Sequence, residues 1–290
     1  MEKYKVLNNI NNYFLLMRLN RPIGIYLLMW PMLWAFLVAT NGQPNIFYLF
    51  LFLIGVVLTR SAGCVINDFF DKEIDSKVGR TKERVLATGI VSPTEAIILF
   101  IGLISLCILL LLMIGLDILI YALISFCLLL IYPISKRFMK MPQLILGIAF
   151  GSSIPMVYIS QNGEVDLSCI ILYLATVSWA IAYDTYYALA DKKDDLKIGN
   201  KSSAILFKSN DIYYPSLLQI LTLLMLMIVG LINNLNLFFY VSLVLALLTV
   251  LYQKLLVSNR IPYQCISAFE NNNIFGLIIF FGLLLSYLYE

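Results

Sequence analysis

Residues 46–66, IFYLFLFLIGVVLTRSAGCVI, carry a single charge, Arg60, and run directly into 67–84, NDFFDKEIDSKVGRTKER. The first stretch is long enough to cross about 30 Å of hydrocarbon as one helix. The second brings Asp68, Asp71, Glu73, Asp75 and Glu83 to its end. An apolar run of this length that closes on carboxylates predicts a membrane helix whose last turns leave the bilayer carrying acids. The arrangement recurs: the run 167–189 ends in YDTYYALADKKDDLKIGNKS, residues 183–202.

The rest of the chain supports a membrane fold. Hydrophobic residues make up 61% of the 290 and charged residues only 13%, against about 45–50% apolar and 25% charged in soluble domains. That leaves too little polar surface to cover a water-soluble globule of this size. No short apolar segment closes on a small-residue cleavage site, so no signal peptide is expected. The five cysteines, Cys64, Cys107, Cys127, Cys169 and Cys265, lack C-x-x-C spacing, lie mostly in apolar runs and read as small hydrophobes. There is no histidine. Imidazole-based nucleophile activation is excluded, and acid, base or metal chemistry must use carboxylates, amides, Lys, Tyr or water.

Apolar runs able to span a bilayer stand near 22–40, 46–66, 95–114, 117–135, 142–160, 167–189, 212–232, 236–257 and 272–289. All 20 Lys and Arg fall before the first span or around the even-numbered connections. The positive-inside rule therefore puts the N-terminus and those connections in the cytoplasm and the C-terminus outside. Both acidic segments lie on the cytoplasmic face, four helices apart. The expected fold is an all-α integral membrane protein of about nine helices: two four-helix units plus one helix around a central cavity, in a single domain, 1–290.

Asn67, Asp71 and Asp75 recur every four residues, as do Tyr187, Asp191 and Asp195, so each set lies along one helix face. A lone D-x-x-x-D in a cytoplasmic loop reads as solvated surface. Two matched sets at span ends on one side read as ligands, because acids at this spacing repel and a divalent cation relieves the repulsion. Oxygen donors, with Asn67, Asp71, Asp191 and Asp195 foremost, suit Mg2+, which takes one or two carboxylates and completes its shell with water and phosphate. A basic rim of Arg80, Lys82, Arg84, Lys136, Arg137, Lys193 and Lys201 makes this a receptor for a diphosphate.

The segments NDFFDKEID with RTKER, and YDTYYALADKKDDLKIGNKS, resemble the two Asp-rich motifs of the intramembrane aromatic prenyltransferases, the UbiA superfamily. The likeness extends to RLNRPIG at 18–24, YPISK at 132–136, MPQLILGIAFG at 141–151 and AFENNNIFGL at 268–277, and is strongest with the branch acting on 4-hydroxybenzoate. One departure is Arg84-Val85-Leu86, where related sequences tend to have Arg-Pro-Leu.

The resemblance implies a polyprenyl diphosphate with its tail among the helices and its diphosphate held through Mg2+. It implies transfer of the prenyl group to the ring carbon ortho to the phenol of 4-hydroxybenzoate, an early step toward ubiquinone, in the bacterial inner membrane with the site toward the cytoplasm. The partners expected are these two substrates and the lipid bilayer, with no nucleic acid. The catalytic acids expected are Asp68, Asp75 and Asp184. Asp68, Asp75 or the released diphosphate takes the ring proton. Arg18 or Arg137 faces the acceptor carboxylate, and Tyr132, Tyr183, Tyr186 and Tyr187 line the ring pocket or form an interfacial belt. ENNN at 270–273 caps the last helix or hydrogen-bonds near the site, with capping the default reading. The rivals are a sister prenyltransferase with another acceptor and an ion-coupled transporter, which would place its acids nearer the bilayer midplane.

Overall fold

The structure is a computed structural model and describes residues 10–76 and 79–289; Lys3, Lys5 and Lys77 of the basic count lie outside the described residues. Residues 10–16 are helical and are followed by α1 (Ile23–Ala39), α2 (Ile46–Asp75), α3 (Pro93–Ile114), a 3-10 turn (Leu116–Ile118) and α4 (Leu119–Ser135). Then come α5 (Gln143–Gly151), α6 (Ser153–Asn162), α7 (Leu167–Ile198), the short α8 (Ser203–Leu206), α9 (Tyr213–Ile232), α10 (Leu237–Leu256) and α11 (Pro262–Leu288). There is no strand among the described residues.

Local chemistry sets the boundaries. Ser92 and Glu95 form a reciprocal capping box at the start of α3, with Pro93 at the first helical position. Asn45, Asp166 and Asn236 accept backbone N–H bonds at the starts of α2, α7 and α10. Gly163 and Gly199 close α6 and α7 in the left-handed conformation that glycine adopts without a Cβ penalty. Among the described residues eight stretches are long and apolar enough to cross a membrane, and α1, at 17 residues, is a shorter ninth. The chain is a multi-pass membrane protein, all-α among the described residues, as expected. All five cysteines are free.

The helices close into a ring. α1 packs on α2, α6 and α11; α2 carries α3 and α4; α5 joins α4 to α7; α9 and α10 lead from α7 back to α11. The connections sort to two ends. At one, Asn45 N–H donates to Gln161 Oε1 (3.3 Å), Asn162 Nδ2 to the Ala39 carbonyl (2.8 Å) and Asn236 N–H to Ser286 Oγ (2.8 Å). At the other, Lys201 N–H donates to the Lys136 carbonyl (2.8 Å), Arg137 to the Phe70 carbonyl (3.0 Å) and Arg260 to Asp211 (2.7 Å). The basic connections share this second end.

The last helix corrects one expectation. It begins at Pro262, about ten residues before its apolar run, so Glu270–Asn273 lie inside it rather than at its cap. Asn272 is fully buried and accepts from Trp179 Nε1 (2.8 Å) and Gln219 Nε2 (3.3 Å). Gln219 also donates to Gln253 (2.5 Å) and accepts from Tyr186 OH (3.1 Å), and Gln253 donates to Asn271 (3.0 Å). Amides too polar for hydrocarbon thus satisfy one another between α7, α9, α10 and α11.

Candidate active site

The two longest helices among the described residues carry the acids. α2 has 30 residues and α7 has 32, about 45–48 Å at 1.5 Å per residue, so each continues beyond the hydrocarbon. The continuation carries the acids, and the four-residue spacing aims them one way. Asn67, Asp68, Asp71 and Asp75 of α2 and Asp184, Tyr187, Asp191 and Asp195 of α7 line one cavity of about 1020 Å³ between the two helices. Asp68, Asp71, Asp75 and Asp184 are all buried.

Burial of so many carboxylates demands partners, and the connections supply them. Arg18, at φ +55° in a conformation that costs a non-glycine residue about 1–3 kcal/mol, donates to Asp68 Oδ1 at 2.6 Å. Arg84 donates Nη1 to Asp68 Oδ1 (3.0 Å) and to Asp75 Oδ2 (2.5 Å). Its loop is anchored by the buried side chains of Val85 and Leu86 and by Val91 N–H on the Val85 carbonyl (3.0 Å), which do the fixing expected of a proline there. Lys136 Nζ donates to Asn67 Oδ1 and to Asp71 Oδ2, both at 2.9 Å, and lies 5.1 Å from the Tyr132 ring centroid. Arg80 crosses from the loop after α2 to Asp191 on α7, with Nε on Oδ1 at 2.9 Å and Nη2 on Oδ2, and its guanidinium carbon lies 4.7 Å from the centroid of Tyr187.

Below this charged mouth the cavity is apolar, with Phe52, Leu111, Phe126, Leu146, Phe150 and Met156 on its walls, and it reaches Ile118 near the opposite end. Ile108 and Leu112 of α3 and Leu123 of α4 line it and are exposed. α3 and α4 both pack on α2. The arrangement can hold a polyanion at the mouth and a long apolar tail in the shaft.

The UbiA prenyltransferase family model matches residues 28–289. The chain belongs to that family. Relatives named 4-hydroxybenzoate octaprenyltransferase include those of Pseudoalteromonas translucida, 42% identical over 97% of this chain and 96% of its own, and Histophilus somni, 47% identical over 94% and 95%. Among solved structures, the apo UbiA homologue of Aeropyrum pernix K1 superposes with a TM-score of 0.78 at 21% identity, covering 89% of this chain and 97% of its own. The Archaeoglobus fulgidus homologue bound to GPP and Mg2+ gives 0.72 at 17%, covering 94% and 99%. At such identities the likeness is one of fold.

Within this UbiA-family cavity the structure gathers most of the expected set: the acids above with Arg18, Arg80, Arg84, Tyr132, Lys136 and Lys201. Lys82, Arg137 and Lys193 do not line it, which corrects their expected place on the rim. Lys193 stands two residues from Asp191 and two from Asp195, hence on the far side of the helix. Lys82 is exposed. Arg137 points away from its neighbour Lys136 and lines a separate outer cleft with Lys72. Tyr186 belongs to the buried amide network, whereas Tyr183 lines the cavity. Arg60 enters the sequence reading only through topology, yet it lines the cavity with its guanidinium 6.0 Å from the Phe150 ring centroid and against Gly24, and no ion pair binds it among the described residues. A lone Arg inside an apolar span is the signal that marks it. Among the described residues no three acids stand close enough together to hold an ion by themselves.

Proposed function

We propose that this protein is a 4-hydroxybenzoate polyprenyltransferase. It transfers a polyprenyl group from polyprenyl diphosphate to the ring carbon ortho to the phenol, in the bacterial inner membrane, as one domain (1–290) with its site toward the cytoplasm. The observation that carries the reading is a buried carboxylate and cation cluster, divided between α2 and α7, over an apolar shaft. Relatives 42–47% identical over nearly the whole chain bear that activity in their names.

The donor set fits a hard divalent ion. Its atoms are carboxylate and amide oxygens of Asn67, Asp71, Asp191 and Asp195, with no imidazole in the chain. Since no acid trio converges among the described residues, an ion held there takes one or two protein oxygens and fills its shell with water and phosphate, the usual manner of Mg2+. When bound, Mg2+ supplies positive charge against the departing diphosphate.

The chain's own residues do the rest. Arg80, Arg84, Lys136 and Lys201 hold the diphosphate and stabilise the negative charge that develops as the C1–O bond breaks, an electrostatic contribution. The faces of Tyr132, Tyr183 and Tyr187 flank the allylic cation. The bonding electrons of the C1–O bond leave with the diphosphate, ring π electrons form the new C–C bond, and the ring proton is lost to restore aromaticity. The carboxylate oxygens of Asp68 and Asp75 are engaged by the guanidinium groups of Arg18 and Arg84, while Asp184 lines the cavity with no ion-pair partner among the described residues. That contrast favours Asp184 or the diphosphate as the proton acceptor. Arg60, outside any ion pair among the described residues, joins Arg18 as an anchor for the acceptor carboxylate.

Purified protein given a prenyl diphosphate, Mg2+ and a panel of aromatic acids tests the proposal. Prenylated 4-hydroxybenzoate is expected, with turnover abolished by excess chelator and restored by Mg2+. Product from another acceptor alone, or undiminished turnover in chelator, overturns it.

A further inference from the structure

Three of the four side chains proposed as metal donors are bonded to two of the cations proposed as diphosphate donors. Arg80 engages both oxygens of Asp191, and Lys136 bridges Asn67 Oδ1 and Asp71 Oδ2. Each such bond engages a lone pair of the oxygen and an N–H donor of the cation, and sets the direction of both side chains. At these pairs each incoming ligand therefore competes with an internal partner for the same atoms. Charge leads to the same point. The acids and cations lining the cavity are nearly equal in number. Divalent ions alone would leave a large positive excess in a partly buried site, diphosphate alone a large negative one, and the two together nearly restore the balance.

We infer that the site works by partner exchange: Arg80 and Lys136 are internal stand-ins that occupy Asp191, Asp71 and Asn67 until cation and diphosphate arrive together. The carboxylates then pass to the cation, and Arg80 and Lys136 pass to phosphate oxygens. Arg80 is also a latch, since its pairing with Asp191 and stacking on Tyr187 tie the loop after α2 to α7 across the cavity mouth. Exchange releases that tie. Metal and diphosphate are therefore strongly coupled ligands, each weak without the other, and the coupling is reciprocal. The inference rests on the metal reading above.

The test uses the full chain in nanodiscs, Mn2+ in place of Mg2+, and an unreactive prenyl thiolodiphosphate, with free Mn2+ read by electron paramagnetic resonance. In the unsubstituted protein the analogue should tighten Mn2+ at least about tenfold, inside the roughly 5–150-fold range usual for coupled sites. Equal Mn2+ affinity with and without the analogue overturns the exchange and leaves the metal reading standing. In Arg80→Met, Mn2+ alone should bind more tightly than to the unsubstituted protein, and the effect of the analogue should shrink. Mn2+ affinity unchanged or weakened in Arg80→Met overturns the stand-in role. Lys136→Met carries the same expectation if the first variant does not fold. Absence of Mn2+ binding under every condition overturns the metal reading itself.

Discussion

Arg80 and Asp191, 111 positions apart in sequence, form a two-point guanidinium–carboxylate pair that closes the mouth of the cavity between α2 and α7. The two acidic segments thus belong to one site, and the cations between them are as much part of it as the acids. The same end of the molecule holds a second charge cluster, in which Asp211 takes Lys192 Nζ at 2.5 Å and Arg260 Nη2 at 2.7 Å.

That second cluster predicts a pH dependence of stability. Burial works against ionisation of Asp211, but the hydrogen bonds from Arg260 and Lys192 outweigh it and hold the carboxyl below its ordinary range. The group's folded-state pKa is depressed, so its contribution is fully present above the unfolded value, about 3.9, and is lost as pH falls through the folded one. Thermal unfolding in detergent should show Asp211→Asn less stable than the unsubstituted protein at pH 7, with the gap closing below about pH 4. A gap that is constant with pH would rule out the charge as its origin.

Packing of α1 on α11 gives a second expectation. A Cβ at Gly276 would lie 2.2 Å from Cδ1 of Trp30, whose indole is fixed by a bond to Asn273 (2.9 Å). Gly276→Ala should therefore cost about 1–3 kcal/mol, the usual penalty of overpacking. Gly102, on α3, has nothing within 4 Å of such a Cβ, and Gly102→Ala should be neutral or gain up to about 1 kcal/mol of helix propensity. Melting temperatures of the two variants check this, and equal losses would contradict it.

Orientation is open to a reporter. Gln161 lies with Asn45 at the end opposite the acids, so a fusion there should behave as periplasmic and one near Lys208 as cytoplasmic. The reverse pattern would contradict the proposed orientation.

Much of this is legible in the sequence, for identifiable reasons. Span length, the sorting of Lys and Arg, and the four-residue spacing of Asn67, Asp71 and Asp75 on α2 and of Tyr187, Asp191 and Asp195 on α7 are local signals, and they place the acids on one cavity. The pairing of Arg80 with Asp191 is a tertiary fact with no local trace. Arg137 and Lys193 pass for rim cations because charge is visible in a sequence and side-chain direction in a loop or on a helix's far face is not. Asn272 reads as a cap because asparagine favours helix starts. Only the fold brings it against Trp179 and Gln219. Arg60 escapes a functional reading because, counted with the cations of the second connection, it serves the topology rule equally well.

The central claim, that Asp71 and Asp191 act together on one diphosphate, is tested most directly by initial rates of prenylated product for Asp71→Asn, Asp191→Asn and the double variant at saturating Mg2+. Folded yield in detergent serves as the control. Each replacement keeps size and removes a charge. Loss of an electrostatic contact of this kind costs about 10²–10³ in rate, and residues acting as a unit are not additive. The account predicts that each single variant falls by about that factor and that the double is little worse than the poorer single. Near-normal rates in both singles would show these acids to be solvated surface charges and would contradict it.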